Sequence, residues 1–264
     1  MKQLVIPVDF SPAAVHACHY ALGLAGELPA TLHLVHCVDK DSAREAATHS
    51  LAQLRDELLA AARLADQTVD ILTETRTGDP VWELLAYAEA AEADIFLMGL
   101  KAHSQFYRLL IGSVASGIIE YSHLPVWVVP PGVHWNRIQR CVFASDFDPG
   151  DRHALIKMAS FLHPIHPSWH IMHVSDEMQP RHQAELVARL SQHIGDSPEL
   201  PLPHVEVAQG GNFYQTLKGH IQDTRADLLC LLTHQRNPFA QFFDPSLTEQ
   251  MMYHMPCPIF VLRG

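Results

Sequence analysis

The chain has 264 residues, of which 48% are hydrophobic and 18% charged, a balance typical of compact globular proteins and not of disordered ones. Its formal net charge of -11 disfavours broad attachment to nucleic acid or to anionic membranes, because both need dense lysine and arginine. The length allows one large domain or two of ordinary size.

Apolar strands alternate with helical patterns along the first half of the chain. Leu4–Val8 is an apolar strand, and Ser11 followed by Pro12 predicts the start of a helix that continues over Ala13–Leu24. The same periodicities predict further strands at 32–38, 68–76, 95–98 and 126–129, and further helices at 42–64 and 81–92. This alternation predicts an α/β fold with a five-stranded, doubly wound parallel sheet.

The sequence contains an internal repeat. Leu4–Pro12 (LVIPVDFSP) is echoed by Cys141–Pro149 (CVFASDFDP), a shift of 141 − 4 = 137 positions. Residues 33–36 match residues 170–173 at the same shift, and later matches drift to a slightly smaller one. Two anchors at one shift indicate two copies of the same fold in tandem.

The junction between the copies falls at Pro130-Pro131-Gly132, since proline and glycine do not continue the preceding strand. We therefore predict domains over residues 1–132 and 137–264. The last strand of each copy, Val126–Val129 and Ile259–Leu262, would otherwise be an exposed sheet edge. The short linker favours pairing, so we expect an internal pseudo-dimer, to which a homodimer can be added.

Candidate ligand-binding residues lie where the predicted strands end. Doubly wound sheets bind ligands at the carboxyl ends of their strands, where the chain places Asp9, Val38 and Gly99. Gly112 then opens a helix with Ser113, and the free N–H groups at the start of a helix favour an anion. This pattern predicts a ligand that carries phosphate in the first copy.

Several features occur together in this chain: the tandem repeat, the Pro-Val-Asp-Phe-Ser start, the Met98-Gly99 strand end, the Gly112–Ala115 helix start and a His-x-Pro-Val ending. In these the chain resembles the universal stress protein family over essentially its whole length. The resemblance implies a flavodoxin-like or Rossmann-like domain. In the nucleotide-binding branch it implies ATP held by Gly, two residues, Gly, nine residues and Gly-Ser. Here Ala102 replaces the second glycine, which obstructs the site only if that position needs a positive φ.

The resemblance also implies roles for individual residues. Asp9 would contact the adenosine part, the backbone of Val38 would read the adenine edge, and Lys101 and Ser113 would reach the phosphates, with magnesium as a possible companion of ATP. An alternative role for Asp9 is to cap the following helix, although Ser11 is also available for this. The full predicted set is Pro7, Val8, Asp9, Val38, Met98, Gly99, Lys101, Ala102, Gly112, Ser113, Val114 and Ala115.

The second copy departs further from the pattern. Thr233 stands where the first glycine belongs, and Asp244-Pro245-Ser246 replaces Gly-Ser-Val. Proline removes a backbone donor, and the aspartate places negative charge near the phosphates. We therefore expect nucleotide in the first domain only, and a structural or regulatory role for the second domain.

Metal binding and covalent chemistry find little support in the sequence. The histidine pairs at 33/36 and 170/173 are three apart in strands and point to opposite faces, and a denser group at 163, 166 and 170 lacks carboxylate or thiol ligands at metal spacing. The five cysteines lack any CxxC spacing, and Met1–Val8 runs straight into a strand without a secretion signal. We expect no metal, buried cysteines and a cytoplasmic protein.

We therefore expect a binding or regulatory protein of the stress response, without catalytic residues. One alternative is an interaction scaffold of the same fold that binds no nucleotide and recognises a protein partner. A slow ATPase ranks last, because no positioned general base stands out. The aromatic residues at 106–107 and 242–243 are expected to anchor loops, or alternatively to form a partner-binding patch.

Overall fold

The computed structural model describes residues 1–100, 113–146, 149–175, 203–210, 212–233 and 254–263. The chain divides into two compact units, Met1–Asn136 and Arg137–Gly264. Of the predicted site, Lys101, Ala102 and Gly112 lie outside the described residues, as do the aromatic loop residues and Asp244–Ser246. No helix within the described ranges is both long and apolar enough to cross a membrane.

The first unit alternates strands and helices throughout. In chain order its elements are β1 (Lys2–Pro7), α1 (Pro12–Ala25), β2 (Ala30–Val38), a 3-10 turn (Asp41–Ala43), α2 (Arg44–Leu64), β3 (Asp70–Thr77), α3 (Pro80–Ala90), β4 (Ile95–Gly99), α4 (Ser113–Tyr121) and β5 (Val126–Val129). The strands are parallel, in the order β3-β2-β1-β4-β5. This confirms the predicted doubly wound sheet, whose winding reverses between β1 and β4.

Local sequence explains where the helices begin. The Ser11 hydroxyl accepts a hydrogen bond from the Ala14 N–H at 3.3 Å, and Pro12 occupies the first turn of α1. The predicted helix at 42–64 instead starts as the 3-10 turn, and α2 follows without a side-chain cap. The strands between the helices are buried on both faces, with Leu4, Val5 and Ile6 fully inaccessible. Burial of each such side chain contributes about 1.5–3 kcal/mol.

The second unit repeats the architecture. Its described elements are β6 (Arg140–Ala144), α5 (Pro149–Leu162), a 3-10 turn (His163–Ile165), β7 (Ser168–Ser175), β8 (His204–Gln209), α6 (Phe213–Thr224), β9 (Leu228–Thr233) and β10 (Ile259–Arg263). They are parallel in the order β10-β9-β6-β7-β8, so β6 takes the place of β1 and β9 that of β4.

A contact made in both units shows that the repeat extends to side chains. The Gln3 N–H donates to Asp94 Oδ2 at 2.7 Å, and the Arg140 N–H donates to Asp227 Oδ2 at 3.0 Å. In each case the aspartate precedes the fourth strand in chain order, β4 or β9, and ties it to the start of the neighbouring strand, β1 or β6. The structure therefore allows the two units to be compared residue by residue.

Candidate functional site

A cavity of about 220 Å³ lies at the carboxyl ends of β1, β2 and β4 in the first unit. Because β1 and β4 flank the point where the winding reverses, this is where doubly wound sheets bind ligands. The cavity brings together many of the residues predicted from the sequence: Pro7, Val8, Asp9, Met98, Gly99, Ser113, Val114 and Ala115.

The β2 side of the cavity is formed by residues just before the one that the sequence indicated. Val35, His36 and Cys37 line the cavity, whereas the predicted Val38 does not. The reason is register: Pro7, the last residue of β1, pairs with Val35, so the residues just beyond Val35 overhang the end of β1. The Val38 carbonyl instead accepts a hydrogen bond from the Gly78 N–H at 3.0 Å, at the start of the turn into α3.

Asp9 lies exposed at the mouth of the cavity, in the turn between β1 and α1. Its Oδ1 accepts a hydrogen bond from the Ser11 N–H at 3.0 Å, while Ser11 itself caps α1. Between them Phe10 adopts a left-handed φ of 58°, a conformation that bulky residues rarely adopt and that clusters at functional sites. Capping therefore falls to Ser11, and the Asp9 carboxylate faces the ligand space.

His36 joins the ends of β1 and β2. Its Nδ1–H donates to the Val8 carbonyl at 2.6 Å, and its ring lies 4.7 Å from that of Phe10, tilted by 47°. In the second unit His173 Nδ1–H donates to the Ser145 carbonyl at 2.7 Å. The backbone contact is thus common to both units, and it fixes the histidine ring as part of the cavity wall in the first.

Gly99 is required by the close approach of α1 to the end of β4. A Cβ atom at this position would lie 2.1 Å from the Ala13 carbonyl oxygen and 3.3 Å from the Ala17 side chain. Backbone cannot yield as a flexible side chain does, so any larger residue must push α1 away. This first glycine of the motif therefore has a packing role in addition to any contact with a ligand.

Cys37 lines the cavity as a protonated thiol. Burial raises its pKa to about 11, with a further contribution from the Glu83 carboxylate. Nucleophilic attack needs the thiolate, so Cys37 has no such role at neutral pH. The other four cysteines, Cys18, Cys141, Cys230 and Cys257, are free and buried.

The far wall of the cavity is the start of α4, whose first residues are Ser113, Val114 and Ala115. The first N–H groups of a helix have no partner within the helix, and the helix dipole favours negative charge there. Among the described lining residues Asp9 is the sole carboxylate, and none is a lysine or arginine. The cavity thus has apolar walls, one carboxylate and one anion-favouring helix end.

The matching region of the second unit carries a buried acid. At the shift of 137, Ser145 replaces Val8 and Asp151 replaces Ala14, which lines the cavity of the first unit. The Ser145 hydroxyl donates to Asp151 Oδ2 at 2.5 Å, and both residues are buried. A carboxylate stands where the first unit has a methyl group.

The second unit also lacks a glycine at the position of Gly99. That position is one residue before Thr233, the one predicted from the sequence. β1 pairs with β4, and β6 with β9, in equivalent registers, and these place Leu232 and not Thr233 where the first unit has Gly99. The shift of 133 between Ala93 and Ala226 gives the same position, 99 + 133 = 232. A leucine therefore stands at the position of Gly99.

The histidines at 163, 166 and 170 do not form the single group that the sequence indicated. His163 and His166 pack with ring centroids 4.8 Å apart, whereas His170 lies beside His204 at 5.3 Å and His220 at 6.4 Å. Within the described ranges no group of three His, Cys, Asp or Glu side chains is arranged to hold a metal ion.

Comparison with known proteins identifies the family. The model of the universal stress protein family matches the chain twice, over residues 1–130 and 137–263. Over 138 residues the chain is 31% identical to universal stress protein MJ0531 of Methanocaldococcus jannaschii. The matched segment covers 48% of this chain and 81% of that protein.

Solved structures share the fold over the full length. A universal stress protein from Archaeoglobus fulgidus superimposes with a TM-score of 0.73 at 20% identity, covering 99% of this chain and 98% of that one. A protein of unknown function from Pseudomonas aeruginosa, PA1789, gives 0.60 at 15% identity, covering 100% and 93%. The chain therefore belongs to the universal stress protein family and carries two of its domains in tandem.

Proposed function

We propose that the first unit binds ATP or a related adenine nucleotide, and that the protein acts as a nucleotide-responsive binding protein in a cytoplasmic stress response. The observation that carries this proposal is the cavity at the switch point, which combines the Asp9 carboxylate with the amino end of α4 between apolar walls. Turnover of the nucleotide is not part of the proposal.

The lining residues suit the three parts of such a ligand. Val8, Val35 and Met98 offer apolar surface to a planar base. The Asp9 oxygens are acceptors for ribose hydroxyls, and the N–H groups at the start of α4 are donors for phosphate oxygens. Lys101, Ala102 and Gly112 belong to the proposed phosphate side, together with a magnesium ion bound by the phosphates.

The same reasoning supports a nucleotide-free second unit. Asp151 adds a buried negative charge at the position of Ala14, and Leu232 adds bulk at the position of Gly99. A carboxylate close to a polyphosphate opposes binding by like-charge repulsion, which low dielectric strengthens. We propose a structural or regulatory role for this unit.

Isothermal titration of ATP and AMP with magnesium into the full chain tests the proposal. We expect one nucleotide per chain. Ala14→Asp, which copies the second unit, should weaken ATP binding by about tenfold or more, because about 1.4 kcal/mol of repulsion has that effect. Gly112→Asp should act in the same direction at the proposed phosphate side.

Matched variants distinguish a specific loss of ATP binding from damage to the fold. Val8→Ser/Ala14→Asp supplies the hydroxyl that Asp151 has in the second unit, so the carboxylate gains a donor while the repulsion remains. Asp151→Ala in the second unit should leave the titration unchanged. Wild-type protein that binds no ATP, or variants that bind it as well as wild type while melting normally, would overturn the proposal.

A second candidate function is recognition of a protein partner, and it rests on an exposed aromatic pair. Trp82 of α3 and Tyr121 of α4 are 59% and 46% exposed, with ring centroids 5.2 Å apart. Exposed tryptophan and tyrosine are typical of interface hot spots. Loss of a specific partner in a Trp82→Ser/Tyr121→Ser variant that still binds ATP would support this candidate.

A further inference from the structure

A buried histidine near the amino ends of the strands is fully hydrogen-bonded in the first unit. His33 Nδ1 lies 2.8 Å from the Tyr87 hydroxyl, and its Nε2 lies 2.7 Å from Gln3 Oε1. Both partners can accept a hydrogen bond, and the tyrosine can also donate one. His33 therefore keeps its contacts whether its ring is neutral or protonated.

The second unit holds the equivalent histidine with different neighbours. At the shift of 137, His170 replaces His33 and Arg140 replaces the glutamine; at the shift of 226 − 93 = 133, His220 replaces the tyrosine. His204 of β8 is the direct cross-strand neighbour of His170. Three histidines and an arginine thus occupy the places of His33, its two neutral partners and Leu72, its cross-strand neighbour.

These groups leave polar atoms unsatisfied. Within the described part of the chain, His170 Nδ1, His220 Nε2 and Arg140 Nε are buried and have no hydrogen-bond partner. Arginine has no acceptor, so it cannot take over the role of Gln3. Unsatisfied buried polar groups destabilise the folded state by about 1–3 kcal/mol each, and three of them lie together in this cluster.

The charges around the cluster come from each element packed against it. Burial lowers the pKa of His170, and His204 and Arg140 lower it further, while Glu206 of β8 opposes them. Burial also lowers the pKa of His220 on α6, with Glu206 and Asp223 opposing and His204 adding to the effect. Glu206 Oε2 lies 3.6 Å from His220 Nδ1 and 3.9 Å from His204 Nε2, too far for a hydrogen bond in either case.

We propose that the cluster of His170, His204 and His220 is a proton-responsive element that loosens α6 from β7 and β8 at mildly acidic pH. Protonation would place cations beside one another and beside Arg140, with Glu206 as the nearest counter-charge. Opening of α6 exposes the rings of His170 and His220 to water, where they protonate freely, whereas His204 is already exposed in the folded unit. The element is a property of the second unit and is independent of nucleotide in the first.

The direction of the effect follows from linkage. The pKa values of His170 and His220 are lower in the folded unit than in an open one, so the open state binds more protons. Their contribution to stability is complete above about pH 6.5 and is lost as the pH falls below it. At one pH unit below the ordinary pKa of histidine, each histidine that stays neutral in the folded unit raises the equilibrium constant for opening by up to about tenfold.

Hydrogen–deuterium exchange of the full chain at about pH 7.5 and about pH 5.5 tests the proposal, with EDTA present throughout. After correction for intrinsic exchange, protection of Phe213–Thr224 should fall about tenfold more on acidification than that of Pro80–Ala90. Two histidines with lowered pKa values act in the second unit, whereas in the first unit burial lowers the pKa of His33 alone. Equal losses in the two segments would overturn the proposal.

Residues grafted from the first unit provide the matched control. Arg140→Gln/His204→Leu/His220→Tyr copies Gln3, Leu72 and Tyr87, and should bring the two segments to within about twofold of each other. If this variant fails to fold, the surface substitution Glu206→Gln provides a second test, and its expected effect on the acid-induced loss has the opposite sign. Removal of that counter-charge should enlarge the acid-induced loss over Phe213–Thr224, whereas an unchanged or smaller loss would contradict the proposal.

Discussion

At the carboxyl ends of its strands the first unit has two small residues, Ala14 and Gly99. The second unit has Asp151 and Leu232 at the corresponding positions. The two units share their strand order and the aspartate that ties β4 to β1, or β9 to β6. The comparison teaches that the backbone alone does not make a ligand site. Under the proposed function, Ala14 leaves room at the cavity of the first unit, and Asp151 opposes an anion in the second.

The two units also have different side chains near the amino ends of their strands. His33 lies between Gln3 and Tyr87, which satisfy its ring, whereas His170 lies among basic neighbours. The two units therefore share one strand arrangement and differ in side chains at both ends of its strands. The predictions below test whether the named substitutions account for that divergence.

The largest effect is expected for Gly99→Ala. Its new Cβ would lie 2.1 Å from a backbone oxygen of α1, so the helix must shift and the cavity wall with it. We expect a loss of about 3 kcal/mol in the free energy of unfolding of the first unit, at the upper end for overpacking, together with a loss of ATP affinity. Urea unfolding and titration measure the two. A variant with wild-type values of both would show that α1 does not need the glycine.

A smaller effect is expected for Ser145→Ala in the second unit. The buried Asp151 carboxylate would lose the hydroxyl that donates to it at 2.5 Å, which we expect to destabilise the unit by about 1–3 kcal/mol. Ser145→Val/Asp151→Ala, which installs the residues of the first unit, should recover most of this loss, because it removes both polar partners. Equal destabilisation by both variants in urea would contradict the comparison.

The smallest effect is expected for Gly219→Ala, in the interior of α6. Apart from the backbone of its own helix and its chain neighbours, no atom of the described residues lies within 4 Å of the position that its Cβ would occupy, in contrast to Gly99. Alanine should stabilise the second unit by about 0.5–1 kcal/mol, because glycine is the poorer helix former. Thermal unfolding measures the gain, and a destabilised variant would show that this face of α6 is more crowded than the structure indicates.

Much of the fold could be predicted from the sequence, because strand–helix alternation and the repeat are local or periodic signals. The β1 side of the cavity followed from Asp9 and the β4 side from Gly99, since strand ends are visible in the sequence. On the β2 side the sequence indicated Val38, whereas Val35, His36 and Cys37 line the cavity, because the choice depends on how far β2 runs past Pro7. The histidine cluster was also missed: His170 and His204 are neighbours only through strand pairing, and are far apart in the chain.

Titration of ATP into the full chain and into Ala14→Asp tests the central claim most directly. The account predicts one nucleotide per wild-type chain, and binding weakened by about tenfold or more in the variant, which should still unfold in a normal transition. Two nucleotides per chain, or undiminished binding by a folded Ala14→Asp protein, would contradict the claim that these few side chains confine the nucleotide site to the first unit.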